Sequence, residues 1–85
     1  MKEYDIEVRI SPRQGLLDPQ GKAIHSALHS LEFDEVESVR VGRLLRLKLL
    51  ADSTEGARAA ADDMCRKLLA NPVTEDYEIA IGAGA

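Results

Sequence analysis

A two-layer α+β sandwich is the fold this sequence predicts, and three observations predict it. Tyr4, Ile6, Val8 and Ile10 alternate with Asp5, Glu7 and Arg9, the period of a strand with one apolar and one wet face. Two later stretches each follow a capping residue and carry apolar positions at helical spacing. The two-residue period returns in Val39 and Val41, in Leu45, Leu47 and Leu49, and in Tyr77, Ile79 and Ile81. The element order is therefore βαββαβ.

Each element has a local cause. The first strand stops where Ser11-Pro12-Arg13-Gln14-Gly15 breaks the alternation. Leu16 and Leu17 lead to Asp18-Pro19, where Asp caps a helix and Pro suits its first turn. Ala23, Ile24, Ala27, Leu28 and Leu31 then fill one stripe of a helix running from about Pro19 to Glu32. Gly42-Arg43, between the second and third alternating runs, reads as a II′ hairpin turn with Gly at its first central position. Val36 is out of phase with Val39, which leaves the start of that second strand open. Asp52 with Glu55 three residues on resembles a capping box, and Ala57, Ala60, Ala61, Met64, Cys65, Leu68 and Leu69 follow at helical spacing. Asn71-Pro72 ends this second helix, because the residue before Pro is pushed out of the helical region. Gly82-Ala83-Gly84-Ala85 has no side chains to anchor it, so residues 1–81 form the single domain and 82–85 a flexible tail.

Right-handed crossovers turn this order into a four-stranded antiparallel sheet, 4-1-3-2, with two helices on one face: the ferredoxin-like architecture. The first strand then lies beside the third. Asp5, Glu7 and Arg9 share the helix-free face with Arg46 and Lys48, where opposite charges pair across strands, and Leu44 and Leu50 fall on the same face. Such a face is either wet or covered by another subunit. Open edge strands favour association through that face or through an edge.

Composition narrows the function. The chain has 85 residues, 11 basic and 15 acidic, for a net charge of -4, with a mass of 9.3 kDa and a pI of about 5.1. An acidic balance argues against general affinity for nucleic acid or anionic membrane, and one small core cannot also enclose a deep pocket. The single cysteine, Cys65, forms no internal disulfide and suits a reducing compartment. The charged N-terminus lacks the apolar core of a signal peptide, and no apolar run approaches the roughly 18 residues needed to span a bilayer. A cytoplasmic protein with small or proteinaceous partners is the expectation.

No catalytic constellation stands out. His25 and His29 are four apart, as in zinc sites, yet they lie beside the apolar stripe and no further ligand falls at a fitting spacing. Cys65 sits late in the second helix near its apolar stripe and reads as a buried small hydrophobe rather than a nucleophile. The pairs Asp62-Asp63 and Glu75-Asp76 occupy adjacent positions that point apart, unlike an acid and base converging on one bond. Arg40, Arg43 and Arg46 around the hairpin and Arg13 in the first loop suit an acidic partner surface, because no base or nucleophile accompanies them. Catalytic, cofactor and metal residues are expected to be absent from the chain.

Leu17-Asp18-Pro19-Gln20-Gly21-Lys22-Ala23-Ile24 followed by His25-Ser26-Ala27-Leu28-His29-Ser30-Leu31, then Val39-Arg40-Val41-Gly42-Arg43, resemble the PurS family. So do Met64-Cys65-Arg66-Lys67-Leu68-Leu69-Ala70-Asn71-Pro72-Val73 and Glu75-Asp76-Tyr77-Glu78-Ile79. This family supplies the small subunit of bacterial and archaeal phosphoribosylformylglycinamidine synthase, and the likeness covers nearly the whole chain. The resemblance implies a part in de novo purine biosynthesis, in the ATP- and glutamine-dependent conversion of formylglycinamide ribonucleotide to formylglycinamidine ribonucleotide. A synthetase subunit, PurL, holds ATP and magnesium, and a glutaminase subunit, PurQ, releases ammonia. The small chain carries no catalytic residue; as a homodimer, or a tetramer, it bridges the two enzymes and helps ammonia pass.

Of the motif residues, Asp18, Pro19, Gln20 and Gly21 start the first helix, Gly42 makes the hairpin turn, and Asn71 and Pro72 end the second helix. Tyr77 shares the core face with Ile79 and Ile81. Arg40 and Arg43, whose charges the fold does not need, are the leading candidates for contact with the larger subunits, followed by Arg13 and Arg46. Two other readings compete. A free-standing ferredoxin-like regulatory domain needs a Gly-rich effector loop after the first strand, where only Gly15 stands. An acylphosphatase-like enzyme needs an Arg in a phosphate-cradling loop, which Arg13 can supply, and an Asn that positions water, yet the only Asn, Asn71, lies at a helix end.

Overall fold

In the computed structural model, which describes residues 1–83, the central strand is the one with the cleanest alternation. Strand β1 (Lys2–Pro12) buries Tyr4, Ile6, Val8 and Ile10 and is flanked on both sides, by β2 (Arg43–Ala51) and β3 (Glu75–Ala83), in an antiparallel sheet ordered β2-β1-β3. The register aligns the apolar positions in rows, Leu47–Ile6–Ile81 and Leu45–Val8–Ile79. Over this face lies α2 (Thr54–Met64), whose Ala57 and Ala61, with Cys65 just beyond, are fully buried. Small side chains at these positions let the helix approach the sheet closely.

The opposite face is charged, as the alternation requires. Asp5 stands across from Lys48 and Glu7 across from Arg46. Arg46 Nε lies 3.7 Å from Glu7 and Lys48 Nζ 3.7 Å from Glu3.

The sheet has three strands, not the expected four in the order 4-1-3-2. The missing strand is the one around Val39 and Val41, where two flanking backbone groups are bound by side chains. The Val36 carbonyl accepts from His25 Nε2 at 3.0 Å and His29 Nε2 at 2.9 Å, and the Val41 N–H donates to Asp18 Oδ2 at 2.9 Å. Gly42 makes no hairpin turn. A II′ turn requires a positive φ at its first central residue, and among the described glycines only Gly15 has one. Gly42 serves close approach: a Cβ there would lie 2.4 Å from the Ile10 carbonyl oxygen.

Only one helix covers the sheet, not two. Helix α1 (Pro19–Ser30) makes no extended contact with the strands or with α2. It projects past the end of the sheet, braced by the segment that follows it. Eleven residues of β1 span about 36 Å and twelve of α1 about 18 Å; laid end to end they account for the 52 Å long axis, against 29 and 14 Å across. The radius of gyration is 16.5 Å, where about 12 Å is usual for a compact chain of this length.

Three boundaries refine the sequence reading. Helix α2 is capped by Ser53, whose Oγ accepts from Gly56 N at 3.0 Å, rather than by Asp52. Its last turn widens into a π-helical stretch, Cys65–Leu69, closed by Ala70 N donating to the Cys65 carbonyl at 3.0 Å. Strand β3 runs through Gly82 and Ala83, which pair with Asp5 and Tyr4, although the sequence places both in the tail; Gly84 and Ala85 lie outside the described residues.

Candidate functional site

The end of the sheet where β1 finishes and β2 and β3 begin gathers three of the four candidate arginines. Arg13 donates to the Pro72 carbonyl at 2.6 Å and lies 3.2 Å from Asp76. Arg40 donates to the Pro12 carbonyl. Arg43 donates to the Leu69 carbonyl at 3.0 Å and to Glu75 Oε1 at 2.8 Å. The expectation that the fold has no need of the Arg40 and Arg43 charges is therefore corrected, because both guanidiniums tie distant backbone carbonyls to the strand ends. Arg46 stands apart on the helix-free face, with its side chain 78% exposed.

The motif residues fall around this end. Glu75 accepts from the Asn71 N–H at 2.8 Å; that bond first, and Arg43 after it, hold the Glu75 carboxyl below its usual range. Asn71 Oδ1 accepts from Val73 N at 3.0 Å, fixing the turn around Pro72. Asp18 caps α1 by accepting from Gly21 N at 3.0 Å, with Pro19 in the first turn. The Val41 and Gly21 N–H groups hold its carboxyl below the ordinary value, and the Arg40 charge adds to them. Gly21 permits this crossing, since a Cβ would meet the Val39 carbonyl oxygen at 2.4 Å. Gln20 is exposed on the first turn of α1. Tyr77 packs at the margin of the core and donates to Asp62 Oδ1 at 2.5 Å.

Next to these arginines lies an open groove of about 430 Å³ lined by Pro12, Leu16, Leu17, Thr74 and Glu75, of which Pro12 accepts from Arg40 and Glu75 from Arg43. Leu17 is 77% exposed and Val73, beside the groove, 75%. Apolar side chains rimmed by arginine are typical of protein interfaces. The sequence reading missed these leucines as a surface, although Leu16-Leu17 lies outside every apolar stripe, which is the signal that marks it.

The other candidates are structural. Both imidazole Nε2 atoms donate to one carbonyl, so neither is free to ligate a metal there, and the described residues contain no cluster of three metal-ligating side chains. Burial pushes the Cys65 thiol up, away from a reactive thiolate. Arg13 is engaged by Pro72 and Asp76 and the Asn71 amide oxygen by Val73, which leaves neither poised for an acylphosphatase-like reaction. No described helix is long and apolar enough to cross a membrane.

Among known proteins, residues 5–83 match the family model for PurS, described as phosphoribosylformylglycinamidine (FGAM) synthase. This chain belongs to the PurS family. It is 42% identical over 74 residues to the PurS subunit of Bacillus subtilis, covering 87% of each chain. To that of Methanocaldococcus jannaschii it is 36% identical over 78 residues, covering 92% of this chain and 94% of the relative. The crystal structure of M. jannaschii PurS superimposes with a TM-score of 0.85 at 34% identity, over 96% of this chain and 99% of that one. A chain in the structure of PurLQS from Thermotoga maritima gives 0.88 at 28% identity, over 96% and 100%. Residues 16–42 are too large a part of this chain for such scores unless the projecting α1 superimposes as well, so that arrangement is a trait shared with these PurS structures.

Proposed function

We propose that this chain is the non-catalytic assembly subunit of a cytoplasmic phosphoribosylformylglycinamidine synthase in purine biosynthesis. The observation that carries the reading is its near full-length likeness to a chain of the T. maritima PurLQS structure. In this reading a synthetase subunit holds ATP and magnesium and forms the C–N bond, a glutaminase subunit releases ammonia, and a homodimer of this chain joins them so that ammonia passes without escaping. The geometry suits a joint: the three-arginine end offers Leu16, Leu17 and Val73 to a partner, with Arg13, Arg40 and Arg43 as the cationic rim and Arg46 as a separate contact on the open sheet face.

The test is reconstitution. The chain is expected to co-purify with the synthetase and glutaminase subunits and to restore synthesis driven by glutamine, while free ammonia drives the synthetase without it. Failure to bind either subunit overturns the reading.

A further inference from the structure

Strand β3 ends the sheet, and the ladder fixes which of its backbone groups face outward. Arg13 N–H donates to the Thr74 carbonyl at 3.0 Å. In the antiparallel register that follows, Asp76, Glu78, Ala80 and Gly82 exchange hydrogen bonds with β1, and Tyr77, Ile79 and Ile81 turn theirs away from it. Arg58 reports the same parity from outside, since its guanidinium donates to the Ile79 carbonyl at 3.2 Å. The sheet order β2-β1-β3 places no strand beyond this edge. Past Glu75, whose N–H is taken by the Asn71 carbonyl, the contact that blunts the edge among the described residues is that of Arg58. The strand is nine residues long, about 30 Å, and proteins cover or interrupt edges of that length. Beside it an open groove of about 430 Å³ runs along α2, lined by Glu55, Arg58, Ala59, Asp62, Tyr77 and Ile79. Asp76 and Asp62 are paired, with Arg13 and Arg66, whereas among the described residues the exposed Glu55 and Glu78 have no ion pair.

We propose that the open edge of β3 receives an extended segment of a partner subunit as an added strand, and that this segment alternates basic with apolar side chains. This rests on the assembly role proposed above and names a surface that serves it. Main-chain bonds to Tyr77, Ile79 and Ile81 supply affinity, and alternate side chains supply selection. Basic residues on one face of the incoming strand stand across from Asp76 and Glu78 as opposite-charge pairs. Apolar residues on its other face meet Tyr77 and Ile79 at the mouth of the groove, where Glu55 adds a negative charge. A second copy's β3 is the poorer occupant. It carries Glu75, Asp76 and Glu78 itself, so pairing through that half of the strand sets like charges across from one another. Arg58 acts as a latch on the edge. It holds the Ile79 carbonyl that the incoming strand needs, and Glu55, three residues before it, and Asp62, four after, line the same groove and receive the guanidinium once it is displaced.

Hydrogen–deuterium exchange read residue by residue tests this, on the full chain alone and with the synthetase and glutaminase subunits. In the assembled complex the Tyr77, Ile79 and Ile81 amides are expected to exchange about tenfold more slowly than in the free chain, or slower still. The double variant Glu55→Gln/Glu78→Gln is expected to weaken assembly by about tenfold and Arg58→Ala to strengthen it, with circular dichroism unchanged in both. A complex whose three amides exchange as in the free chain overturns the edge as a docking site and leaves the assembly role standing. Unchanged affinity, or the opposite sign, in either variant overturns the basic character of the incoming segment. Protection already present in the free chain and growing with its concentration gives the edge to a second copy and overturns the proposal. If no complex forms, the assembly role fails and the edge is judged with a synthetic peptide alternating lysine and valine over about eight residues. Slowing of the same amides by that peptide, and not by its glutamate–valine counterpart, upholds the site; any other result overturns it.

Discussion

Asp18 Oδ2 accepts the Val41 N–H at 2.9 Å while its Oδ1 accepts the Gly21 N–H at 3.0 Å. One carboxylate thus starts α1 and holds the segment that returns from it. The N-cap bond satisfies a helix-end donor, and the Val41 bond takes a backbone N–H that would otherwise be free to pair in a strand. Together with His25 and His29, which bind the Val36 carbonyl, this side chain ties residues 36–41 to α1 as one arm.

Acid should therefore loosen the arm. The Asp18 carboxyl sits below its ordinary value in the folded chain, chiefly through Val41 and then Gly21. Its contribution is complete above the unfolded carboxylate value and is lost as pH falls through the depressed folded value. Urea midpoints followed from neutrality to about pH 3 are expected to fall less steeply for Asp18→Asn than for wild type; parallel curves would remove Asp18 from the argument.

Gly42→Ala is expected to cost about 1–3 kcal/mol, the usual range for overpacking. Its new Cβ meets a backbone oxygen, that of Ile10, at 2.4 Å, with no flexible side chain to give way. Gly82→Ala is the control, since its nearest neighbour is Asp5 O at 3.9 Å, and it should leave the denaturation midpoint unchanged or higher. Equal losses at both sites would contradict the close-approach account.

Glu32 has φ 71 at the end of α1, where Phe33 N donates to the Leu28 carbonyl and Glu32 N to that of His29, each at 3.0 Å. This is a Schellman ending, whose left-handed position favours Gly. A non-Gly residue there costs about 1–2 kcal/mol, part of which Gly returns through unfolded-state entropy. Glu32→Gly is expected to stabilise the chain by about 0.5–1 kcal/mol in urea denaturation; a loss of stability would show that the Glu32 side chain has a role of its own.

At high pH the sensitive contact is Tyr77 with Asp62. The hydrogen bond to Asp62 is the largest cause raising the Tyr77 phenol above 10.0, ahead of burial and the Asp62 charge. A raised folded value means the contribution is complete below the unfolded tyrosine value and is lost as pH climbs through the folded one. Ultraviolet titration should show a late tyrosinate step that disappears in Tyr77→Phe and moves to lower pH in Asp62→Asn. A titration in which Asp62→Asn leaves that step in place would count against the pairing.

Much of the sheet was legible because period-2 alternation survives burial: β1, β2 and β3 are where Ile6, Leu47 and Ile79 put them, and the Glu7–Arg46 pairing follows from register. The Val39–Val41 run carried the same pattern and formed no strand. That segment is held through two flanking backbone groups by His25, His29 and Asp18, contacts which no local period encodes. Asp18, Gly21 and Gly42 were visible as special positions, but Gly42 turned out to relieve a clash with Ile10 rather than make a turn. The arginines were visible as charges, whereas their acceptors at Pro12, Leu69 and Pro72 are backbone carbonyls distant in sequence. The stripe of α1 announces that it packs, without saying on which sheet.

Cys65 offers a direct probe of how this core opens. It is fully buried where α2 passes into the π-helical stretch, and burial, with the Asp62 charge second, pushes its thiol above 9.0. Both factors suppress the thiolate that attacks disulfide reagents. Labelling by an aromatic disulfide is therefore expected to proceed only through opening of the core, with a rate that rises with urea in step with unfolding. Gly42→Ala should accelerate it in proportion to its loss of stability. Rapid labelling of the native chain, independent of urea, would instead place the thiol at a surface that opens without unfolding and give Cys65 a role in chemistry after all.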